Sequence, residues 1–286
     1  MQTVQRTYTQ TYNGETRQRV YRVHVPSQGS SGKPIILFAH GHGSNGAAGT
    51  AANTAFNPLA NIGCVVVFLQ GLLGPDGDYN WYTYATSEIG EVWQHLDEAY
   101  VMEVLALVAS EFGADASQVR MGGFSQGTDL CQHMRRTQGA TFKGFATCGR
   151  GISQPFKAHP PTALQPWMTT IGEQDDSWLG HKDPPQNDAD GAVETMIFMG
   201  AENNVVVPVP PGTGTPAGIP PNPTTGTKLW TYRFATPAGA GASAVVGAGR
   251  VSDVVPGGSV VAGHRIFNTA SGDNFNFGGL LKKFFV

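Results

Sequence analysis

Five residues near the middle of the chain, Gly123-Phe124-Ser125-Gln126-Gly127, set a serine between two glycines at a spacing suited to nucleophilic chemistry. The preceding Val119 to Gly122 reads as a short strand, and Gln126 to about Arg136 reads as a helix, so the serine falls on a strand-to-helix bend. Small residues two before and two after it let the chain turn sharply and hold the hydroxyl exposed at the top of a sheet. The helix N-terminus beside it offers free N–H groups to a developing negative charge. That chemistry is acyl transfer, in which a serine oxygen attacks a carbonyl and a tetrahedral oxyanion forms. In a chain with 38 glycines the spacing alone is weakly specific, and it is the flanking strand and helix that give it weight.

A serine hydroxyl is a poor nucleophile until a base takes its proton, so a histidine oriented by a carboxylate must accompany it. Gly263-His264 lies near the end of an apolar run close to the C-terminus, and His264 is the expected base. His159 and His181 suit solvated loops, while His24, His95 and His133 read as polar surface or satisfied core histidines. For the acid, the strand Trp167 to Ile171 runs into Gly172-Glu173-Gln174-Asp175-Asp176, a turn that aims a carboxylate off a strand end. Asp175 is favoured over Asp176, with Glu173 a third candidate, and whichever aspartate is not catalytic has a helix-capping role open to it.

An oxyanion needs two N–H donors. Gln126, directly after the serine, supplies one, and the backbone of His42 in the Gly-rich segment His40 to Gly49 is expected to supply the other. His40-x-His42 also has the look of half a metal site, yet no third ligand with suitable spacing accompanies it, so no metal is expected. The aromatics Trp81, Tyr82, Tyr84, Trp167 and Trp178 fall on loops or strand ends; Trp81, Tyr82 and Trp178 are the candidate substrate-binding residues, with packing as the alternative.

These residues need a scaffold, and the hydrophobic pattern supplies one. Thr7 to Val25 alternates apolar and polar residues around Asn13-Gly14, predicting an antiparallel hairpin. Ile35 to Ala39 and Cys64 to Leu69 are continuous apolar runs, as in parallel strands covered on both faces. From Trp93 to Phe112 the residues Leu96, Tyr100, Val104, Val108 and Phe112 recur every fourth position, predicting an amphipathic helix that Gly113 ends. Phe142 to Cys148 and Trp167 to Ile171 read as further strands. Strands alternating with helices imply a mostly parallel sheet with functional groups at the carboxyl ends of its strands.

Farther on, Pro208 to Pro223 predicts an extended surface loop, Leu229 to Phe234 a strand, Gly239 to Gly249 a small-residue loop, and Ser259 to Ile266 a last strand before a short helix near Leu280. The whole of 1–286 reads as one domain, with 204–258 a loop-rich insertion placed either as a flap or as surface decoration.

Bulk composition narrows the partners. Net charge is −3, charged residues make up 14% of the 286, and no basic run stands out, which argues against nucleic acid. The longest apolar stretch, Cys64 to Leu69, is far short of the roughly 20 residues a spanning helix needs, so no membrane insertion is expected. Low charge with abundant Thr, Asn, Gly and Pro points to a secreted protein whose leader has been removed, with a cytoplasmic location as the alternative. Three cysteines permit one bridge; Cys131 to Cys148 is the possible pair, and three small buried hydrophobes, Cys64 included, is the other reading.

Taken together, Phe38-Ala39-His40-Gly41-His42-Gly43-Ser44, Trp81, Asp97-Glu98, Val119 to Gly127 and Gly172-x-x-Asp175 resemble the α/β-hydrolase esterases that include polyhydroxybutyrate depolymerase-like proteins and bacterial feruloyl and acetylxylan esterases. The resemblance covers roughly Tyr12 to Asp176, and afterwards Gly263-His264 alone matches. It implies an α/β-hydrolase fold, a triad of Ser125, Asp175 and His264, and ester cleavage through an acyl-enzyme with neither metal nor organic cofactor. Two departures keep substrate identity from being carried over. Arg265-Ile266-Phe267-Asn268 follows the histidine where the family often has Trp-Pro-Gly, and 204–258 is longer and richer in Pro and Gly. A small-molecule or polymeric ester is the expected substrate, with hydroxycinnamoyl esters placed ahead of polyester.

Overall fold

The computed structural model describes residues 1–12, 14–43, 46–53, 56–74, 77–83, 90–172, 195, 198–199, 201–202, 247–251 and 281. Its centre is an eight-stranded sheet in the order β1-β2-β4-β3-β7-β8-β9-β10. Strands β1 (Gln2–Tyr12) and β2 (Glu15–Val25) form the antiparallel edge, in register from Gln2 opposite Val25 to Tyr12 opposite Glu15. Gly14 in the connecting turn has φ 82°, the sign a two-residue hairpin demands. Strand β2 joins β4 (Val65–Leu69) antiparallel, and from there the sheet is parallel through β3 (Pro34–Ala39), β7 (Asp115–Phe124), β8 (Phe145–Cys148), β9 (Trp167–Gly172) and β10 (Gly247–Val251).

The continuous apolar runs are explained by the two covered faces. Ile35, Leu37 and Ala39 of β3, with Val65, Val67 and Leu69 of β4, enter one core cluster, while Ile36, Phe38, Val66 and Phe68 enter the other. On the first face lie α3 (Gly90–Phe112), through Tyr100, Val101, Val104, Leu105 and Val108, and α4 (Gln126–Thr137), through Leu130, Cys131 and Met134. On the second lie α1 (Gly46–Ala52) and α2 (Asn57–Asn61), through Ala47, Ala51, Leu59 and Ala60, together with Leu281. A short hairpin, β5 (Leu72–Leu73) with β6 (Tyr79–Asn80), follows β4, and α5 (Gln154–Lys157) follows β8. Among the described residues no helix is long and apolar enough to cross a membrane.

One expectation is corrected and two open points are decided. Helix α1 takes up the latter part of the Gly-rich segment His40 to Gly49: its sequence is rich in alanine, the best helix former, and Gln70 Oε1 accepts the Ala47 N–H at 2.8 Å, capping its start. Gly247–Gly249, read as loop, belongs to β10, where the main-chain ladder to Met168, Thr169 and Thr170 of β9 needs no apolar side-chain pattern. All three cysteines are free and buried, the second of the two readings held open; Cys131 packs on one face of the sheet and Cys148 on the other, so the sheet itself separates the pair. The expected loop Pro208 to Pro223, the strands Leu229 to Phe234 and Ser259 to Ile266, and the flap reading of 204–258 fall outside the described residues apart from β10.

Candidate active site

Ser125 stands where β7 passes into α4, with φ 52° and ψ −119°. Among the described residues it is the one non-glycine with positive φ, a conformation that costs on the order of 1–3 kcal/mol and persists only when its surroundings impose it. The Ser125 N–H donates to Cys148 O at 2.9 Å, and the Ser125 carbonyl accepts from Thr128 N at 2.8 Å. Both flanking glycines are required by close approach. A Cβ on Gly123 would lie 2.2 Å from Gly127 O, and one on Gly127 would lie 2.3 Å from Ala39 O. The bend thus closes on itself and seats the start of α4 on the end of β3. Ser125 is 7% exposed, so the residue is nearly enclosed and does not stand open on the crest of the sheet as the bend alone suggested.

What encloses it is the segment after β3. A Cβ on Gly41 would sit 3.0 Å from Ser125 Cβ and 2.9 Å from Phe124 Cδ1, so His40 to Gly43 runs directly against the bend. The His42 side chain is half exposed and turns to Asp78, with Nε2 3.9 Å from Oδ2, which leaves its main chain as the part carried by the loop beside Ser125. Gln126, the first residue of α4, has an N–H of the kind no intrahelical carbonyl can reach.

His40 is buried, and its protonation is dictated by its partners. Nε2 accepts the Gly71 N–H at 2.9 Å, so Nδ1 must carry the proton that it donates to Gly41 O at 2.7 Å. The ring is neutral, and burial pushes its pKa down to about 4. With both nitrogens engaged, His40 has no lone pair to offer a metal, and the half-site reading of His40-x-His42 has no support in this geometry.

The described aromatics expected around the site are all buried. Trp81 is fully buried and Tyr82 nearly so, which is the packing alternative rather than an exposed stacking surface. The Trp81 indole N–H donates to His40 O at 2.8 Å, and its main-chain N–H donates to Gln126 Oε1 at 3.0 Å. The Tyr82 N–H donates to Asp97 Oδ2 at 2.6 Å. Asp97 pairs at 2.6 Å with Arg19, both side chains being wholly buried, and Arg19 Nε donates to Gln70 O at 2.9 Å while its guanidinium lies 3.6 Å over the Tyr100 ring. Burial raises the Asp97 carboxyl and pushes the Tyr100 hydroxyl up to about 12; Arg19 opposes both shifts. Trp167 is also buried, stacked on Phe145 at 5.6 Å between ring centres.

Behind α4 a second polar cluster meets the end of β8. Asp129 Oδ2 pairs with Arg150 at 2.9 Å and Oδ1 accepts from Ser153 Oγ at 2.8 Å; burial raises the Asp129 carboxyl against the pull of Arg150. Arg135 and Arg136 both pair with Glu202. His24 is a satisfied buried histidine, held by Thr3 and Ala51; His133 is buried with Nε2 3.2 Å from Glu98 Oε2, and His159 lies on the surface.

Asp175, Asp176, Glu173, His264, Trp178, Tyr84 and His181 lie outside the described residues. Sequence reasoning missed Arg19, Gln70 and the side-chain role of Gln126. Arg19 did carry a signal, because it occupies the same period-two phase of β2 as the buried Tyr21 and Val23, where a charge requires a buried partner.

No protein-family model matches the chain, and no curated protein matches it. Solved structures do. An acetyl xylan esterase from Aspergillus awamori aligns with TM-score 0.57 and 14% identity over 96% of this chain and 99% of that one. A Bacillus cereus carboxylesterase aligns with TM-score 0.51 and 12% identity over 93% of each. A thermostable esterase aligns with TM-score 0.47 and 15% identity over 69% of this chain, which spans about half, 51%, of that protein. At such identities the likeness concerns the fold, which is that of the α/β-hydrolases.

Proposed function

We propose that the protein is a serine carboxylic ester hydrolase in which Ser125 forms the acyl-enzyme. The observation that carries this reading is the positive-φ bend at Ser125 with the Gly41 loop packed on it, an arrangement that costs stability and has an evident use in catalysis. His264 takes the Ser125 proton as its oxygen attacks the ester carbonyl, with Asp175 orienting the imidazole. The Gln126 and His42 N–H groups receive the oxyanion. The same proton then passes to the departing alcohol, and water, deprotonated by His264, releases the acid and restores Ser125.

The esterases that share the fold favour an ester over a peptide, and the acetyl xylan esterase adds weight to a short-chain acyl group. Within that class we place hydroxycinnamoyl and other aromatic or short-chain esters first and polyester second. Turnover of methyl ferulate compared with a hydroxybutyrate oligomer orders the two, and no turnover of either defeats both. The reaction class is tested by fluorophosphonate labelling: the wild type should react and Ser125→Ala should not, whereas a hydrolase-fold binding module would be inert in both forms. Activity should climb with pH as the base becomes neutral, then level off.

A further inference from the structure

We propose that Trp81 is a positioning residue of the oxyanion site, the centre of a brace formed by Asn80, Trp81 and Tyr82 that sets the two oxyanion donors relative to each other. The inference rests on the reaction proposed above. The brace itself rests on hydrogen bonds from three consecutive residues to three different parts of the fold.

Gln126, whose own N–H is one donor, has its side-chain amide held at both ends: Oε1 accepts the Trp81 N–H at 3.0 Å and Nε2 donates to Asn80 Oδ1 at 3.4 Å. The Trp81 indole reaches the other loop, donating to His40 O at 2.8 Å, one peptide before the Gly41 that packs on Ser125. The His40 ring, 4.9 Å from the indole between ring centres, is tied in turn to Gly71 N. Tyr82 closes the brace by donating to Asp97 Oδ2 on α3, a carboxylate fixed by Arg19. One buried residue therefore touches both halves of the oxyanion site, and a shift of its peptide or its ring displaces one half against the other. Because Trp81 is 0% exposed, it acts through these bonds and not by touching substrate. Oxyanion donors work only within a narrow geometric window, and a misplacement of about 1 Å can cost on the order of a hundredfold in rate.

The test uses Trp81→Phe, which keeps an aromatic ring and the main-chain N–H but loses the indole donor, and Gln126→Leu, which keeps the main-chain donor but loses the acceptor. Each should lower kcat by about tenfold to a hundredfold with KM within about threefold. Affinity for a trifluoromethyl ketone, which places an oxyanion on Ser125, should fall in step with kcat. The double variant should lose less than the product of the two single losses, because both act on one register. In either variant amide exchange should quicken at residues 40–43 and 126–127 while protection in β3 and β4 is kept. Exchange unchanged at both loops, or a KM rise with ketone affinity intact, overturns the proposal. Should the wild type turn over no ester, the reaction assignment fails, and the exchange measurement still decides the brace.

Discussion

Two polar networks reach α4, the helix that follows Ser125, and they are made of different chemistry. On the β3 side, main-chain atoms of His40, Gly71, Trp81 and Tyr82 are met by an imidazole, an indole, an amide and a carboxylate, with the ion pair Arg19–Asp97 sealed behind them. On the far side of α4, formal charges meet directly, Asp129 with Arg150 and Arg135 and Arg136 with Glu202. A directional bond to a peptide group fixes where that peptide lies. A buried ion pair instead fastens one segment to another and makes separating them costly. The first network should therefore govern turnover and the second stability.

The largest effect that sharpens this division is at the bend from β7 into α4. Ser125→Ala should lower kcat by roughly a millionfold, as loss of a nucleophile does in a triad that works as a unit. Ser125→Gly should be equally inactive yet more stable than Ser125→Ala, by about 1 kcal/mol, since glycine adopts φ 52° without penalty. Urea midpoints of the two variants check this, and equal midpoints would mean that the bend holds no strain. Next in size is Glu202→Gln, which leaves two buried guanidiniums short of their counter-charge and should cost about 3–5 kcal/mol. Its kcat/KM in the absence of denaturant should stay within about twofold of the wild type. A tenfold fall with stability intact would break the division.

How much of this was legible depends on whether side chains or main chain carry the information. The strands Ile35 to Ala39 and Cys64 to Leu69, the long helix α3 and the bend at Ser125 are written in apolar periodicity and in glycines at fixed offsets, and each is found where the sequence placed it. Helix α1 is held by a cap from Gln70 and β10 by a ladder to β9, contacts between segments distant in sequence. The networks are less legible still. Nothing local distinguishes a tryptophan that braces two loops from one that stacks on substrate, and Gln126 was assigned for its N–H while its amide went unread. Asp175 and His264 were chosen from motifs alone, and their positions lie outside the described residues.

The two remaining predictions use pH, one inside the β3-side network and one outside both. His40 is held neutral, its pKa lowered from 6.5 to about 4, chiefly by burial. Above pH 6.5 the folded and unfolded chains are both neutral there and its contribution is complete. As pH falls towards 4 the unfolded chain gains a proton that the folded one refuses, and roughly 3 kcal/mol is lost. Because His24 is buried with its pKa lowered in the same direction, the diagnostic is the difference between wild type and His40→Gln in urea midpoints from pH 8 to 4. That difference should shrink across the window, and a constant difference would show that His40 does not titrate with unfolding.

The smallest effect lies away from Ser125, where α3 meets α4. Glu98 is lowered from 4.5 to about 2, first by its hydrogen bond with His133 and with further help from Gln138. Its contribution is complete above pH 4.5 and is lost as pH falls towards 2, a window below that of His40. The Glu98 side chain keeps 16% exposure, so solvent screening should hold the loss to about 1 kcal/mol. Glu98→Gln should remove this acid-side slope without moving kcat at neutral pH. If it lowers kcat as the Trp81 variants are expected to, the α3–α4 contact transmits to the loop His40 to Gly43, and Asp97, its immediate neighbour in sequence and the anchor of Tyr82, is the route.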